Sequence, residues 1–175
     1  GHYSAAHAGF QILEAGGNAV DAGVAAGIAV GVLQTDRVNF AGVAPIMIYL
    51  AKERKVVNID GLGTWPKAAS IDYFRREHGG KMPPGILPTV MPAAPASWLK
   101  ALELYGTISF GAVAPPAITL TREGFAMHEF MAEYVRNNEE KYRKWPSSAA
   151  VFLPNGKPPR AGEIFVQKDL AATLR

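Results

Sequence analysis

The stretch Gly16-Gly17-Asn18-Ala19-Val20-Asp21-Ala22 joins two predicted helices, and the rest of the sequence is organised around it. Gly16 follows a short helical pattern, where the end of a helix often needs a left-handed residue. Asn18 is a favourable N-cap for the next helix, and Asp21 in its first turn faces the positive end of the helix dipole. One helix therefore ends and another begins within about three residues.

The second of these helices, residues 19–33, is almost wholly apolar and rich in small side chains. Gly23, Gly27 and Gly31 share one face of it, which predicts that a neighbouring backbone approaches closely. The apolar run is shorter than the roughly 20 residues that a bilayer requires, and Asp21 lies in its first turn. The pattern predicts a buried core helix and argues against a membrane span.

The composition excludes several classes of function. The chain has 175 residues, of which 49% are hydrophobic and 19% charged, so it is globular and long enough for one domain with a sizeable core. A net charge of +3 without a long basic block argues against a nucleic-acid partner. The lack of cysteine excludes disulfides, thiolate metal sites and a cysteine nucleophile. It fits a reducing, cytoplasmic compartment, and a periplasmic or secreted location stays open if a signal precedes Gly1.

Apolar periodicity and turn residues predict the remaining elements. Two short apolar runs joined by the polar turn Lys52-Glu53-Arg54-Lys55 predict an antiparallel hairpin, after which Gly61, Gly63 and Pro66 break regular structure. The predicted elements are helices 4–15 (capped by Ser4) and 19–33, strands 45–50 and 56–60, helix 70–77, a short strand 89–91, and helices from Pro95 to Leu104, from Ser109 or Gly111 to Glu123, from His128 to Lys144 and from Gln167 or Lys168 onward. This order predicts that residues 1–175 form a single helix-rich α+β unit.

The histidines offer no metal site. His2, His7, His78 and His128 are scattered, and no acidic residue stands at metal-ligand spacing from them. Gly16-Gly17 lacks the spacing of a dinucleotide-binding loop, and no strand precedes it. We therefore expect neither a metal nor a cofactor.

Several segments resemble the gamma-glutamyltranspeptidase family and follow one another in that family's order. The most specific is the run from Leu13 to Ala22, which is similar to the signature near the start of the family. The other matching segments are the Met47–Leu50 strand, Pro66-Lys67-Ala68-Ala69, Val90-Met91-Pro92, Tyr105-Gly106, Ala117-Ile118 and Arg122-Glu123-Gly124-Phe125. Together these matches cover about residues 4 to 175.

The resemblance implies an N-terminal-nucleophile hydrolase. Such a protein is made as a proenzyme, or zymogen, that cuts itself into a large and a small subunit, and the two subunits form a four-layer αββα sandwich. This chain would be the first part of the large subunit. In the family, the nucleophile is a Thr freed at the start of the small subunit, and its own α-amine acts as the base. The Thr residues of this chain are internal and lack the processing pattern, so we expect no catalytic residue here.

The implied partners are the small subunit and a small amide substrate of the kind found in glutathione metabolism, and a higher oligomer is left open. In the transpeptidases, an Arg a few residues before the Pro matching Pro66 holds the α-carboxylate of the glutamyl group. That position is Leu62 in this sequence, and no Arg lies between Arg54 and Arg75. The family's glycine-rich loop is also altered, to Asn39-Phe40-Ala41-Gly42-Val43. The predicted substrate-binding residues are Leu62, Gly61, Gly63, Asp60, Asn39 and Phe40.

Three readings of the function follow from these observations. The first is a gamma-glutamyltranspeptidase-like hydrolase or acyltransferase. The second is an acylase or amidohydrolase of the same superfamily that acts on other acyl groups, because an apolar residue at position 62 removes the main partner of the glutamyl carboxylate. The third is a scaffold or binding module without catalysis. A Thr, Ser or Cys directly after the processing cut would instead indicate an enzyme.

Overall fold

The computed structural model describes residues 1–175, and most of its regular structure is helical. In chain order, the elements are α1 Tyr3–Glu14, α2 Ala19–Leu33, β1 Ile46–Leu50, β2 Lys55–Ile59, α3 Ile71–His78, α4 Ala94–Tyr105, α5 Phe110–Val113, α6 Pro115–Glu123, β3 Phe125–Ala126, α7 Glu129–Asn137, α8 Glu139–Arg143, α9 Pro146–Phe152, a 3₁₀ turn Pro154–Gly156, β4 Ile164–Phe165 and α10 Lys168–Thr173. The predicted α+β class is confirmed.

The chain divides into two compact units. The first consists of Gly1–Asn39 and Leu104–Arg175, and the second of Phe40–Glu103. The sequence predicted that residues 1–175 form a single unit within a longer precursor, and this stays a prediction.

Helix α2 forms the core of the first unit. Ile28, Ala29 and Leu33 are completely buried, and the helix packs against α1, α5 and α6. Farther along the chain, the Gln167 side chain donates a hydrogen bond of 2.9 Å to the carbonyl oxygen of Val32. The predicted buried core helix is confirmed. No helix combines the length and the apolar character that crossing a bilayer requires.

The predicted start of α2 is confirmed in detail. The Asn18 side chain accepts hydrogen bonds from the backbone N–H groups of Val20 and Asp21, and the Asp21 carboxylate accepts one from the Asn18 N–H at 2.8 Å. This reciprocal pair is a capping box. The Asn18 amide also donates to the carbonyl oxygen of Tyr105 at 2.7 Å, so the cap is tied to a distant segment.

A close backbone approach was predicted at Gly23, Gly27 and Gly31, and for Gly23 the prediction is wrong within this chain. Gly23 is exposed, and a Cβ there would meet nothing within 4 Å. A tight contact does lie in α1, at Gly9, where a Cβ would lie 2.9 Å from the carbonyl oxygen of Ala22. Gly9 therefore lets α1 approach α2.

Three of the predicted helices begin or continue differently in the structure. Helix α1 begins at Tyr3, since the ring nitrogen Nδ1 of His2 accepts from the Ser4 N–H at 3.1 Å and replaces Ser4 as the cap. The helix expected to end at Glu123 is broken at Ala114, just before Pro115 and Pro116. The helix expected over 128–144 is broken at Asn138, whose backbone leaves helical geometry.

In the second unit, β1 and β2 form the predicted antiparallel hairpin. Ile46 pairs with Ile59 and Leu50 with Lys55, so residues 51–54 make the turn. Helix α3 begins after Ser70, whose hydroxyl accepts from the Tyr73 N–H, and ends at Gly79 in the left-handed conformation. The predicted strand 89–91 is absent. Instead, the Met91 N–H donates a single hydrogen bond to Thr64.

Two features of the first unit were not predicted. The two-residue strands β3 and β4 pair antiparallel, with Phe125 opposite Phe165, and α9 follows Trp145. Each is too short to carry a periodic signal, so the sequence pattern does not reveal it.

Candidate functional site

The loop of residues 60–64 follows strand β2 and contains four of the six predicted substrate-binding residues. Hydrogen bonds hold it from two sides: the Ala44 N–H donates to the carbonyl oxygen of Gly61, and the Met91 N–H donates to that of Thr64, both at 2.9 Å. Two further hydrogen bonds join the segments on either side of the loop: the N–H groups of Ala93 and Ala94 both donate to the carbonyl oxygen of Gly42. The loop is thus clamped between residues 42–44 and 91–94.

Two glycines make this clamp sterically possible. Gly61 and Gly63 have φ angles of 58° and 71°, which L side chains rarely adopt. A Cβ at Gly61 would collide with the carbonyl oxygen of Ala44 and with the hydroxyl of Ser97, and one at Gly63 would collide with the carbonyl oxygen of Met91. Both positions therefore require glycine.

Leu62 lies between these two fixed glycines and is 52% exposed. Its neighbours on both sides are held by backbone contacts, so the leucine has a defined place on a rigid loop. An exposed leucine offers a ligand apolar surface and no charge. Such a side chain disfavours a charged group on a molecule that binds beside it.

Asp60 begins the loop and is exposed, without an ion pair or a side-chain hydrogen bond. It borders a shallow groove along the hairpin together with Pro45, Met47 and Asn58. Its carboxylate is consequently available to a ligand, although its neighbours include no cation.

The predicted pair Asn39 and Phe40 is divided by the boundary between the two units. The Phe40 ring lies against the Trp98 ring, with centroids 5.4 Å apart, so Phe40 is held by packing within the second unit. Asn39 is exposed and ends the first segment of the other unit. The structure brings Gly61, Leu62 and Gly63 together on one clamped loop, and the role of all six residues in binding stays a prediction.

Sequence reasoning missed the residues that clamp the loop. Their backbone groups come from segments rich in small residues, Ala41-Gly42-Val43-Ala44 and Ala93-Ala94, and such runs are the available signal that backbones meet there. No group of three or more His, Cys, Asp or Glu side chains is placed to hold a metal ion.

The chain belongs to the gamma-glutamyltranspeptidase family, because the family model described as gamma-glutamyltranspeptidase matches residues 5–175. The residues that carried the resemblance, from Leu13 to Phe125, all lie within this match.

Characterised relatives include both acylases and glutathione hydrolases. The chain is 35% identical over 184 residues to the acylase ACY 1 proenzyme of Pseudomonas sp. (strain SE83), covering 99% of this chain and 33% of the relative. It is 32% identical over 179 residues to the glutathione hydrolase proenzyme of Bacillus subtilis (strain 168), covering 99% of this chain and 30% of the relative. The chain thus spans about a third of the length of these relatives.

Solved structures agree with this assignment. The gamma-glutamyltranspeptidase of Helicobacter pylori superposes with a TM-score of 0.91 at 33% identity, over 99% of this chain and 51% of that one. The cephalosporin acylase of Bacillus halodurans superposes with a TM-score of 0.90 at 29% identity, over 98% of this chain and 33% of that one. The fold is therefore that of the gamma-glutamyltranspeptidases and related acylases.

Proposed function

We propose that the chain forms the first part of the large subunit of an amide-bond hydrolase or acyltransferase that is made as a self-processing proenzyme. Family membership over residues 5–175 supports this, as do relatives described as acylase and glutathione hydrolase proenzymes. The catalytic nucleophile then lies in the other two thirds of the protein, on a small subunit that is the partner of this chain. The alternative of a scaffold without catalysis predicts that no Thr, Ser or Cys follows the processing site.

In the proposed reaction, the hydroxyl of the N-terminal nucleophile attacks the amide carbonyl carbon while its α-amine accepts the hydroxyl proton. Collapse of the tetrahedral intermediate breaks the C–N bond, and the leaving amine takes up that proton. Water, or an acceptor amine, then attacks the acyl-enzyme and gives a proton to the α-amine; the ester C–O bond breaks, and that proton returns to the oxygen of the nucleophile. The clamped loop of residues 60–64 contributes by fixing the position of the acyl group.

We further propose that the preferred acyl group lacks the free α-carboxylate of a γ-glutamyl donor. The observation that carries this is Leu62, an exposed apolar side chain on a rigid loop at the position where the family resemblance places a carboxylate-binding Arg. A carboxylate facing Leu62 would lose water and gain no charged donor, which is unfavourable. The sequence similarity to acylases and to glutathione hydrolases is nearly equal, so it does not decide between the two substrates.

The test compares two substrates in the mature full-length enzyme. The ratio of kcat/KM for a γ-glutamyl anilide to that for a simple acyl anilide is measured in the parent, in Leu62→Arg and in Leu62→Met. A charged hydrogen bond contributes about 1.5–3 kcal/mol, so Leu62→Arg should raise the ratio by roughly 10- to 150-fold. Leu62→Met preserves size and apolarity, and because such volume-conserving changes are well tolerated it should leave the ratio within about two-fold.

Efficient turnover of the γ-glutamyl anilide by the parent enzyme would refute the substrate proposal, because another residue would then bind the carboxylate. Failure of the full-length protein to cleave either anilide would refute the proposed enzyme activity itself.

A further inference from the structure

A pocket of about 460 Å³ lies within the second unit, between the loop after Trp65 and helix α3. Its apolar wall includes Trp65, Ile71, Phe74 and Met82. The Trp65 and Phe74 rings meet edge to face, with centroids 5.5 Å apart, and Phe74 is buried. This arrangement holds the indole in place and leaves 40% of Trp65 exposed for contact with a ligand.

Two cations complete the lining. Arg75 comes from α3 and Lys81 from the turn that follows it, and no carboxylate lines the pocket. Lys81 has no ion-pair partner, whereas Arg75 lies 3.9 Å from Asp72, a long and highly exposed pair. Both positive charges are therefore available to an anion, and the pocket combines apolar walls with two cationic side chains in its lining.

We infer that this pocket binds an aromatic carboxylate, with its ring against Trp65 and Phe74 and its carboxylate beside Arg75 and Lys81. A neutral aromatic molecule would leave the two cations unused, and a small inorganic anion would leave the apolar wall exposed to water. The pocket is large enough for a two-ring molecule, since ligand sites begin at roughly 300 Å³.

The inference extends the proposed function to a substrate class, and in that respect it rests on the proposed function. Trp65 is three residues beyond Leu62, so the pocket and the clamped loop belong to one continuous segment. The aromatic carboxylate is then part of the amide substrate, on either its acyl side or its amine side.

The first experiment measures binding without catalysis. Calorimetric titration of the mature full-length protein with 1-naphthoate and with neutral 1-naphthamide compares a charged and an uncharged ligand of nearly equal shape. We expect naphthoate to bind at least about five-fold more tightly, with the difference shrinking at high salt. Arg75→Ala and Lys81→Ala should each weaken naphthoate binding by about two- to five-fold, and Trp65→Ala should weaken both ligands by about ten-fold.

Arg76→Ala is the matched control. Arg76 is the next residue of the same helix, is exposed, pairs with Glu77 and does not line the pocket. Its loss should leave naphthoate affinity within about two-fold of the parent value. Equal affinity for naphthoate and naphthamide, no binding of naphthoate, or an equal effect of Arg75→Ala and Arg76→Ala would each overturn the inference.

The second experiment separates the two sides of the substrate. The values of kcat/KM are compared for 4-carboxyphenylacetyl anilide and phenylacetyl 4-carboxyanilide, in the parent and in Lys81→Ala. A several-fold loss confined to one substrate assigns the pocket to that side of the amide, and an unchanged rate for both contradicts a place in the substrate site. If neither amide is cleaved, the proposed function fails, while the naphthoate titration still decides whether the pocket binds aromatic carboxylates.

Discussion

The hydroxyl of Thr107 donates a hydrogen bond of 2.6 Å to the carboxylate of Asp21, although the two residues are 86 positions apart. The backbone N–H of Thr107 donates to the same carboxylate at 2.9 Å. Asp21 is fully buried, and it also accepts the Asn18 N–H that completes the cap of α2. The Asp21 carboxylate thus caps α2, and it also holds the segment that follows α4 against the start of this helix.

Replacement of Asp21 by Asn should destabilise the protein strongly. Asn is isosteric but uncharged, and its amide group would point a donor at N–H groups that need an acceptor. We expect the free energy of unfolding of the full-length protein to fall by about 1.5–3 kcal/mol, as measured by urea denaturation. Asp72→Asn, at an exposed site, is the control and should change it by less than about 0.5 kcal/mol. Equal effects of the two variants would contradict a structural role for the Asp21 carboxylate.

The same carboxylate should make stability depend on acid pH. Burial alone would raise the pKa of Asp21, but hydrogen bonds from Thr107, Asn18 and Ile108 outweigh it and hold the pKa below 3.8. Since the folded-state pKa is lowered, the contribution to stability is complete above 3.8 and is lost as the pH falls through the folded-state value. The difference in unfolding free energy between the parent and Asp21→Asn should therefore shrink in acid. A difference that stays constant down to about pH 2 would contradict this assignment.

Gly61→Ala should disturb the clamped loop more than an alanine at another left-handed glycine. Gly61 and Gly80 have similar φ angles of 58° and 74°, but only the Cβ at Gly61 would collide with a backbone oxygen, that of Ala44. We expect Gly61→Ala to lower the free energy of unfolding by about 1–3 kcal/mol more than Gly80→Ala. It should also reduce kcat/KM, because Leu62 would be displaced. Equal stability of the two variants would contradict this prediction, because the loop would then have shifted to accommodate the added Cβ.

Alanine substitutions at two helical glycines should have opposite effects on stability. A Cβ at Gly9 would lie 2.9 Å from the Ala22 carbonyl oxygen, so Gly9→Ala should destabilise the α1–α2 contact by about 1–3 kcal/mol. Gly23→Ala meets nothing within 4 Å and should stabilise α2 by about 0.8–1 kcal/mol through helix propensity. Thermal unfolding of the two variants checks both signs. If Gly23→Ala instead destabilises the full-length protein, a backbone from the rest of the protein must approach Gly23 closely, as the sequence predicted.

The cap of α1 should weaken in mild acid. Nδ1 of His2 accepts the Ser4 N–H and can do so only when it carries no proton. Burial lowers the pKa of His2 below 6.5, and the nearby His128 ring lowers it further. The stabilisation is therefore complete above 6.5 and is lost as the pH falls through the folded-state pKa.

Asn caps a helix without titrating, so His2→Asn should keep the cap and remove this part of the pH dependence, worth about 1 kcal/mol. The unfolding free energy of the parent, of His2→Asn and of the exposed-site control His7→Asn is compared between about pH 7 and pH 4. A pH dependence that His2→Asn leaves unchanged would exclude His2 as its source.

The sequence alone determined the elements whose signals are local. Asn18 and Asp21 lie within one turn of the helix that they cap, and the hairpin follows from two short apolar runs around a polar turn. Residue types at fixed short spacings decide such features, so they can be read without knowing the rest of the fold. The family resemblance likewise depended on the order of short segments, and the match over residues 5–175 confirmed it.

Only the tertiary structure decided which distant groups meet. Gly23 and Gly9 look alike in the sequence, but a backbone oxygen approaches only Gly9, and nothing near Asp21 in the chain indicates Thr107 as its partner. The clamp on Gly61 and the cations beside Trp65 are likewise products of packing. Periodicity shows which face of an element is buried. It does not show what covers that face, because the partner is chosen by the shape and hydrogen-bonding needs of segments tens of residues away.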